Sequence, residues 1–190
     1  MKKNNMNASA ISKDELYILS YYRACELAGA VLFGRLALHT EFDEIRIPLT
    51  QHTLEEAKHA WMWTETIRDL GHVPVKVTNQ YQTEYGKEYG MPKDVIEILC
   101  LTQVFEKRTL EHFEKHMKKE DLHPRIHKTL ADMVAEEAGH ISWVRDYLDR
   151  HEAENGSERV EELMATMTAI DEKIYSRLEK TEPFKSYFAY

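Results

Sequence analysis

Apolar residues recur at three- and four-residue spacing along most of the chain, the period of a helix with one buried side. Five such stretches can be traced. The first runs from about Ser12 to Leu38, with Leu19, Tyr22, Glu26, Gly29 and Phe33 on one side. Ser12 with Glu15 three residues on reads as a capping box. The second is expected from about Pro48 to Leu70, since proline suits a first turn and Gly71 stops a helix. Its inner side carries Leu49, His52, Glu56, His59, Trp63 and Leu70. A third, from about Pro92 to Glu120, aligns Val95, Leu99, Thr102, Glu106, Phe113 and Met117. A fourth, from about Pro124 to Arg150, aligns Ile126, Met133, Glu137, His140, Val144 and Tyr147. Asn155-Gly156 breaks the pattern. A fifth helix, about Ser157 to Glu179, has Val160, Leu163, Met167, Ile170, Ile174 and Leu178 on one side as core or interface.

These stretches predict an all-α fold in one domain over residues 1–190. Its bundle helices fall at about 12–38, 48–70, 92–120 and 124–150, with an extra C-terminal helix at about 157–179. Helices of about 23 to 29 residues are roughly 35–45 Å long at 1.5 Å per residue. The first and second helices, and the third and fourth, have short links and should be antiparallel neighbours. Gly71 to Met91 shows no clear period and is rich in Tyr, Gly and polar residues. It is long enough to run the length of the bundle as a crossover, which makes the second and third helices parallel.

Composition narrows the function. The net charge of -8 argues against general nucleic-acid binding, which needs a cationic surface. Lys107, Arg108, Lys115, Lys118 and Lys119 lie close together and read as a solvated helix side. Cys25 and Cys100 form no Cys-x-x-Cys pair, so neither a disulfide framework nor a rubredoxin-type iron site is indicated. No apolar run is long enough for a membrane span, and the polar, Asn-rich start lacks a secretion signal. A cytoplasmic protein is the expectation.

The unusual feature is where the charges sit. Glu26, Glu56, Glu106 and Glu137 all fall on inner sides, with His59 and His140 three residues after the second and fourth. Four carboxylates in one core repel each other and are costly to desolvate. They can be protonated, paired with buried cations or bound to metal. No Arg or Lys falls on these inner sides. Glu and His suit iron, manganese and zinc, and an i, i+3 pair can grip an ion from a single turn. A lone Glu-x-x-His is weak, and Glu120 with His123 is an incidental third copy. The strength lies in the order. Glu26 precedes Glu56 by 30 residues and Glu106 precedes Glu137 by 31, so the two halves repeat one helix-hairpin pattern.

That ordered set, over residues 12–150, resembles the ferritin-like di-iron carboxylate superfamily, whose ligand set is a general pattern of such bundles. The resemblance implies a ferritin-like four-helix bundle with a long crossover between helices 2 and 3. It implies two metal ions, iron first, with manganese or a mixed pair equally compatible with the ligands. Glu26 and Glu106 would be outer ligands, Glu56 and Glu137 bridges, and His59 and His140 would hold one ion each. Thr109 stands where rubrerythrins add a glutamate, Ala57 where bacterioferritins place a haem-binding Met, and Trp63 where ribonucleotide reductases carry a radical Tyr. The chain is therefore more similar to the small oxidases and oxygenases. These activate dioxygen to oxidise or hydroxylate a small-molecule substrate with electrons from a separate donor. A ferroxidase or iron-storage protein of the ferritin or bacterioferritin type is the alternative, for which a shell-sized particle is expected, and a homodimer is among the expected partners of the oxidase reading.

Further residues are candidates for the surroundings of the ligands. Glu55 and Glu136 directly precede Glu56 and Glu137, as the outer carboxylates that orient a metal-bound His do in several such enzymes. Tyr22 and Trp63 fall toward one end of the site with Leu110 and Met133. Ala30, His52, Thr102 and Val144 fall toward the other. The second layer is smaller, so dioxygen or substrate is expected to reach the site there.

Overall fold

The first helix begins as its sequence predicts. The Ser12 hydroxyl accepts from the Glu15 N–H at 3.0 Å, a cap contributing about 0.5–2 kcal/mol. The second half of a capping box is not made, because the Glu15 carboxylate accepts from Tyr187 instead. In this computed structural model, residues 11–78 and 80–188 are described, with positions 138, 140 and 141 described by backbone alone. Among the described residues all regular structure is helical. The elements are α1 (Lys13–His39), α2 (Asp43–Asp69), α3 (Tyr81–Glu88), α4 (Val95–Met117), α5 (Pro124–Asn155), α6 (Glu158–Leu178) and α7 (Phe184–Phe188).

Several boundaries differ from the sequence reading, each for a local reason. α2 starts at Asp43, and Pro48 lies inside it. Thr40 closes α1 by donating its N–H to Leu36 O at 2.8 Å, and its hydroxyl accepts from the Phe42 N–H at 3.2 Å. The chain therefore reverses within three residues and the helix restarts at once. Pro48 cannot donate to the Glu44 carbonyl, but Glu44 is exposed and water can serve that group. α4 starts after Asp94 rather than at Pro92, because the Asp94 carboxylate accepts from the N–H groups of Ile96 and Glu97 at 3.0 and 3.1 Å. α5 runs beyond Arg150 to Asn155, where Gly156 at φ 87° ends it.

The long connection is not featureless. It carries α3, whose Tyr81 and Tyr85 are buried with their rings 5.1 and 5.0 Å from Phe105. Aromatic burial four residues apart holds a short helix that its composition does not announce. α7 is likewise unannounced; its Phe184 ring packs 4.8 Å from Tyr21.

Contacts set the helix directions. Tyr22 meets Trp63 and Phe33 meets His52, so α1 and α2 are antiparallel. Lys58 pairs with Glu136 and Thr66 with Thr129, so α2 and α5 are antiparallel. His52 meets Glu106 and Trp63 meets Phe113, so α2 and α4 run the same way. The segment between α2 and α4 therefore crosses the length of the helices. α1, α2, α4 and α5 share one core, with Leu19, Trp63, Leu99, Leu130 and Met133 fully buried. α6 lies outside α4 and α3, where Asp171 takes Arg108 and Tyr81 while Glu88 takes Lys173 and Arg177. The basic cluster is thus partly spent inside the protein. Arg108 pairs with Asp171, and Lys119 donates to the Tyr187 carbonyl at 2.9 Å. No helix among the described residues is long and apolar enough to cross a membrane.

Candidate metal centre

Helical periodicity brings the charged residues to one level of the core. Glu26 of α1, Glu56 and His59 of α2 and Glu137 of α5 each offer a ligand atom, and these atoms all lie within 4.8 Å of one another. His52, Glu56 and Glu106 form a second such group. Glu56 belongs to both and so stands between two candidate ion positions. His59 Nδ1 is 3.0 Å from Glu137 Oε1 and 3.9 Å from Glu26 Oε2. His52 Nε2 is 2.9 Å from Glu106 Oε1 and 3.3 Å from Glu56 Oε1. His140 lies on α5 one turn beyond Glu137, but its side chain falls outside the described residues.

The cluster is deeply buried. The exposures of Glu26, Glu56, Glu106 and Glu137 lie between 0% and 5%. No lysine or arginine is buried among the described residues. Burial therefore pushes the Glu26 and Glu56 carboxyls well above the usual range, and neighbouring carboxylates push them further. Glu106 is raised by burial and by Glu137, with His52 working against the shift. A hydrogen bond between Glu26 and Glu56 favours the proton on Glu26. A divalent cation would relieve the same repulsion. The donor set is all carboxylate oxygen and imidazole nitrogen, which fits iron or manganese.

The space for Glu56 depends on Gly29. A Cβ at position 29 would lie 2.3 Å from Glu56 Oε2, so the α1 backbone forms one wall of the cluster. Gly29 falls on the inner side in the sequence pattern, but its part in seating a carboxylate does not show there.

Outside the cluster, Glu136 Oε2 lies 3.3 Å from His59 Nε2 and also takes Lys58 Nζ at 2.7 Å. Partial burial acts to raise the Glu136 carboxyl, but Lys58 and His59 hold it below the usual range. Glu55 accepts from Gln51 Nε2 at 3.0 Å. The Thr102 hydroxyl donates within its own helix to Ile98 O at 2.9 Å. Trp63 is fully buried with its ring 5.1 Å from Tyr22. His52 is buried and sits among the carboxylates.

Space adjoins the cluster on both sides: a small cavity on the Tyr22 side and a wider groove along the α2–α5 seam toward the His52 side. A cavity of about 60 Å³ touches Glu26, and Tyr22, Tyr81, Phe105, His112 and Phe113 are among its walls. On the Ala30 side, Phe33 packs 4.0 Å from the His52 ring and Trp143 packs 6.1 Å from it. Phe33, already on the inner side of α1 in the sequence pattern, and Trp143, which is not, thus pack against His52 in that layer. A groove of about 380 Å³ follows the α2–α5 seam, lined by Gln51, Glu55, Glu136 and Trp143 among others.

Two histidines escaped the motif reading. His112 and His116 are buried one turn apart on α4, and both are held neutral, their pKa pushed down by burial to about 3. Their i, i+4 spacing beside Phe113 was the available signal. Their partners, Tyr22, Tyr175 and Tyr187, come from distant segments. No protein-family model matches this chain, and no curated protein matches it.

Proposed function

We propose that this chain is a dimetal carboxylate oxidoreductase with a ferritin-like bundle of α1, α2, α4 and α5. The observation that carries this reading is the sharing of Glu56 between two buried groups of ligating side chains. Glu26, His59 and Glu137 would hold one ion. Glu106 would hold the other, with His140 as the resemblance implies and His52 close enough to join. Glu56 would bridge. The antiparallel α1–α2 pair and the parallel α2 and α4 support the same bundle. A pair of iron ions, or of manganese or mixed ions, would supply electrons to dioxygen and oxidising power toward a small-molecule substrate, with a separate donor restoring the electrons. The chain's own residues would seat the ions, orient His59 through Glu136 and keep bulk water from Glu26 behind aromatic walls.

Iron handling is a second reading, and one surface feature favours assembly. Ile47, Leu54 and Trp61 stand seven residues apart on α2 with exposures of 78%, 70% and 54%. Val31 and Leu38 on α1 are also exposed. Such a row fits a second copy of the chain.

The test is anaerobic titration with ferrous iron, followed by dioxygen. Two ions per chain and rapid oxidation support a dimetal centre, and absence of binding refutes it. Particle size then separates the readings. A monomer or dimer that turns over small molecules fits an oxidase, whereas a shell that accumulates iron fits storage.

A further inference from the structure

We propose that Tyr22 is a redox-active tyrosine whose proton leaves through His116. Tyr22 lies on α1 one turn before Glu26, lines the same cavity and is only 4% exposed. Its hydroxyl is 2.9 Å from His116 Nδ1. His116 Nε2 is 2.9 Å from the Tyr187 hydroxyl, which donates to Glu15 Oε1 at 2.8 Å. Glu15 is half-buried at the start of α1. Four groups thus lead from beside the carboxylate cluster toward solvent.

The donors set the direction of this chain. A carboxylate can only accept, so Tyr187 gives its proton to Glu15 and its oxygen accepts from His116 Nε2–H. A neutral imidazole carries a single N–H, so Nδ1 is an acceptor and Tyr22 donates to it. Burial keeps His116 neutral, and nearby Lys119 acts in the same sense. All three hydrogen bonds therefore point outward. A phenol that already donates to a neutral base can lose its electron and proton together and avoid a buried cation.

The step balances as follows. Tyr22 gives one electron to a one-electron oxidant, a part that a bound and oxidised metal pair would play, and its hydroxyl proton passes to His116 Nδ1. His116 releases its Nε2 proton to the Tyr187 oxygen, and Tyr187 releases its own proton to Glu15. A neutral Tyr22 radical, a protonated Glu15 and an oxidant reduced by one electron remain. Trp63, one turn after His59 and 5.1 Å from Tyr22, gives an aromatic contact between the ligand helix and the phenol. The electron's destination rests on the dimetal reading, whereas the hydrogen-bonded chain does not.

The experiment has arms that separate these. In metal-free protein, nitrogen NMR of His116 is expected to show a neutral ring protonated at Nε2; an Nδ1–H tautomer or an imidazolium overturns the proposal. In iron-loaded protein exposed to dioxygen, electron paramagnetic resonance is expected to show a neutral tyrosyl radical. Tyr22→Phe should remove that signal with iron stoichiometry unchanged. Reaction with dioxygen without the radical, or a signal that survives Tyr22→Phe, overturns it. If no metal binds, the dimetal reading fails and photo-oxidation of the metal-free chain by a soluble one-electron oxidant decides. The wild type should then show a radical that Tyr22→Phe lacks, and identical spectra overturn the proposal.

Discussion

His59 Nε2 lies 3.3 Å from Glu136 Oε2, while Nδ1 of the same ring lies 3.0 Å from Glu137 Oε1. Consecutive residues of α5 thus address opposite edges of one imidazole. An outer carboxylate fixes the tautomer and raises the basicity of the nitrogen that binds metal. Glu136→Gln is expected to weaken metal binding by about 10- to 100-fold with helicity unchanged. Competition with a chelator of known affinity measures this, and an unchanged affinity would sink the role.

Gly29 gives a prediction in which stability and binding move in opposite directions. Alanine is better than glycine inside a helix by about 1 kcal/mol. Its Cβ would meet Glu56 Oε2 at 2.3 Å, and Glu56 is long enough to swing aside. Gly29→Ala should therefore keep or raise the melting temperature of metal-free protein while the count of bound ions per chain falls. Full loading in this variant would show that Glu56 does not need its present seat.

The raised carboxyls of Glu26, Glu56 and Glu106 set a pH dependence. Above their folded pKa values each is ionised at a cost that the unfolded chain does not bear. That cost shrinks as pH falls through those values and is gone below 4.5, where both states are protonated. His112 and His116 work the other way. Their pKa values are pushed down to about 3, so they lose stability as pH falls below 6.5. Comparing metal-free wild type with Glu26→Gln isolates the carboxylate contribution. The variant should be more stable at pH 8, with the difference narrowing toward pH 4.5 in denaturant titrations at several pH values. A difference that widens on acidification would contradict the burial argument.

The exposed row on α2 predicts self-association. Leu54→Glu places a charge at a position 70% exposed in the single chain, so folding should be indifferent to it. Sedimentation should show a wild-type homodimer and a more dissociated variant with the same circular dichroism. A wild type that is monomeric at high concentration would remove the second copy from consideration.

Much of the fold was legible because its causes are local. Period, breakers and caps located five long helices, and Ser12 caps α1 as the sequence implied. Boundaries failed where a neighbour outvoted a residue's own preference. Pro48 sits inside α2 because the short Thr40–Phe42 reversal starts that helix early. Tyr81 and Tyr85 form α3 because Phe105 and α6 bury them.

The candidate ligands were visible in sequence because a helix repeats every 3.6 residues, so spacing alone puts Glu26, Glu56, His59, Glu106 and Glu137 on inner sides. Their identity needs no contact information, only the cost of burying like charges. What spacing could not supply was anything made by residues far apart in the chain. The seat that Gly29 leaves for Glu56, the cavity on the Tyr22 side and the Tyr22–His116–Tyr187–Glu15 chain all depend on which helix packs against which. Periodicity assigns a residue to a side of its own helix; only packing assigns it a partner.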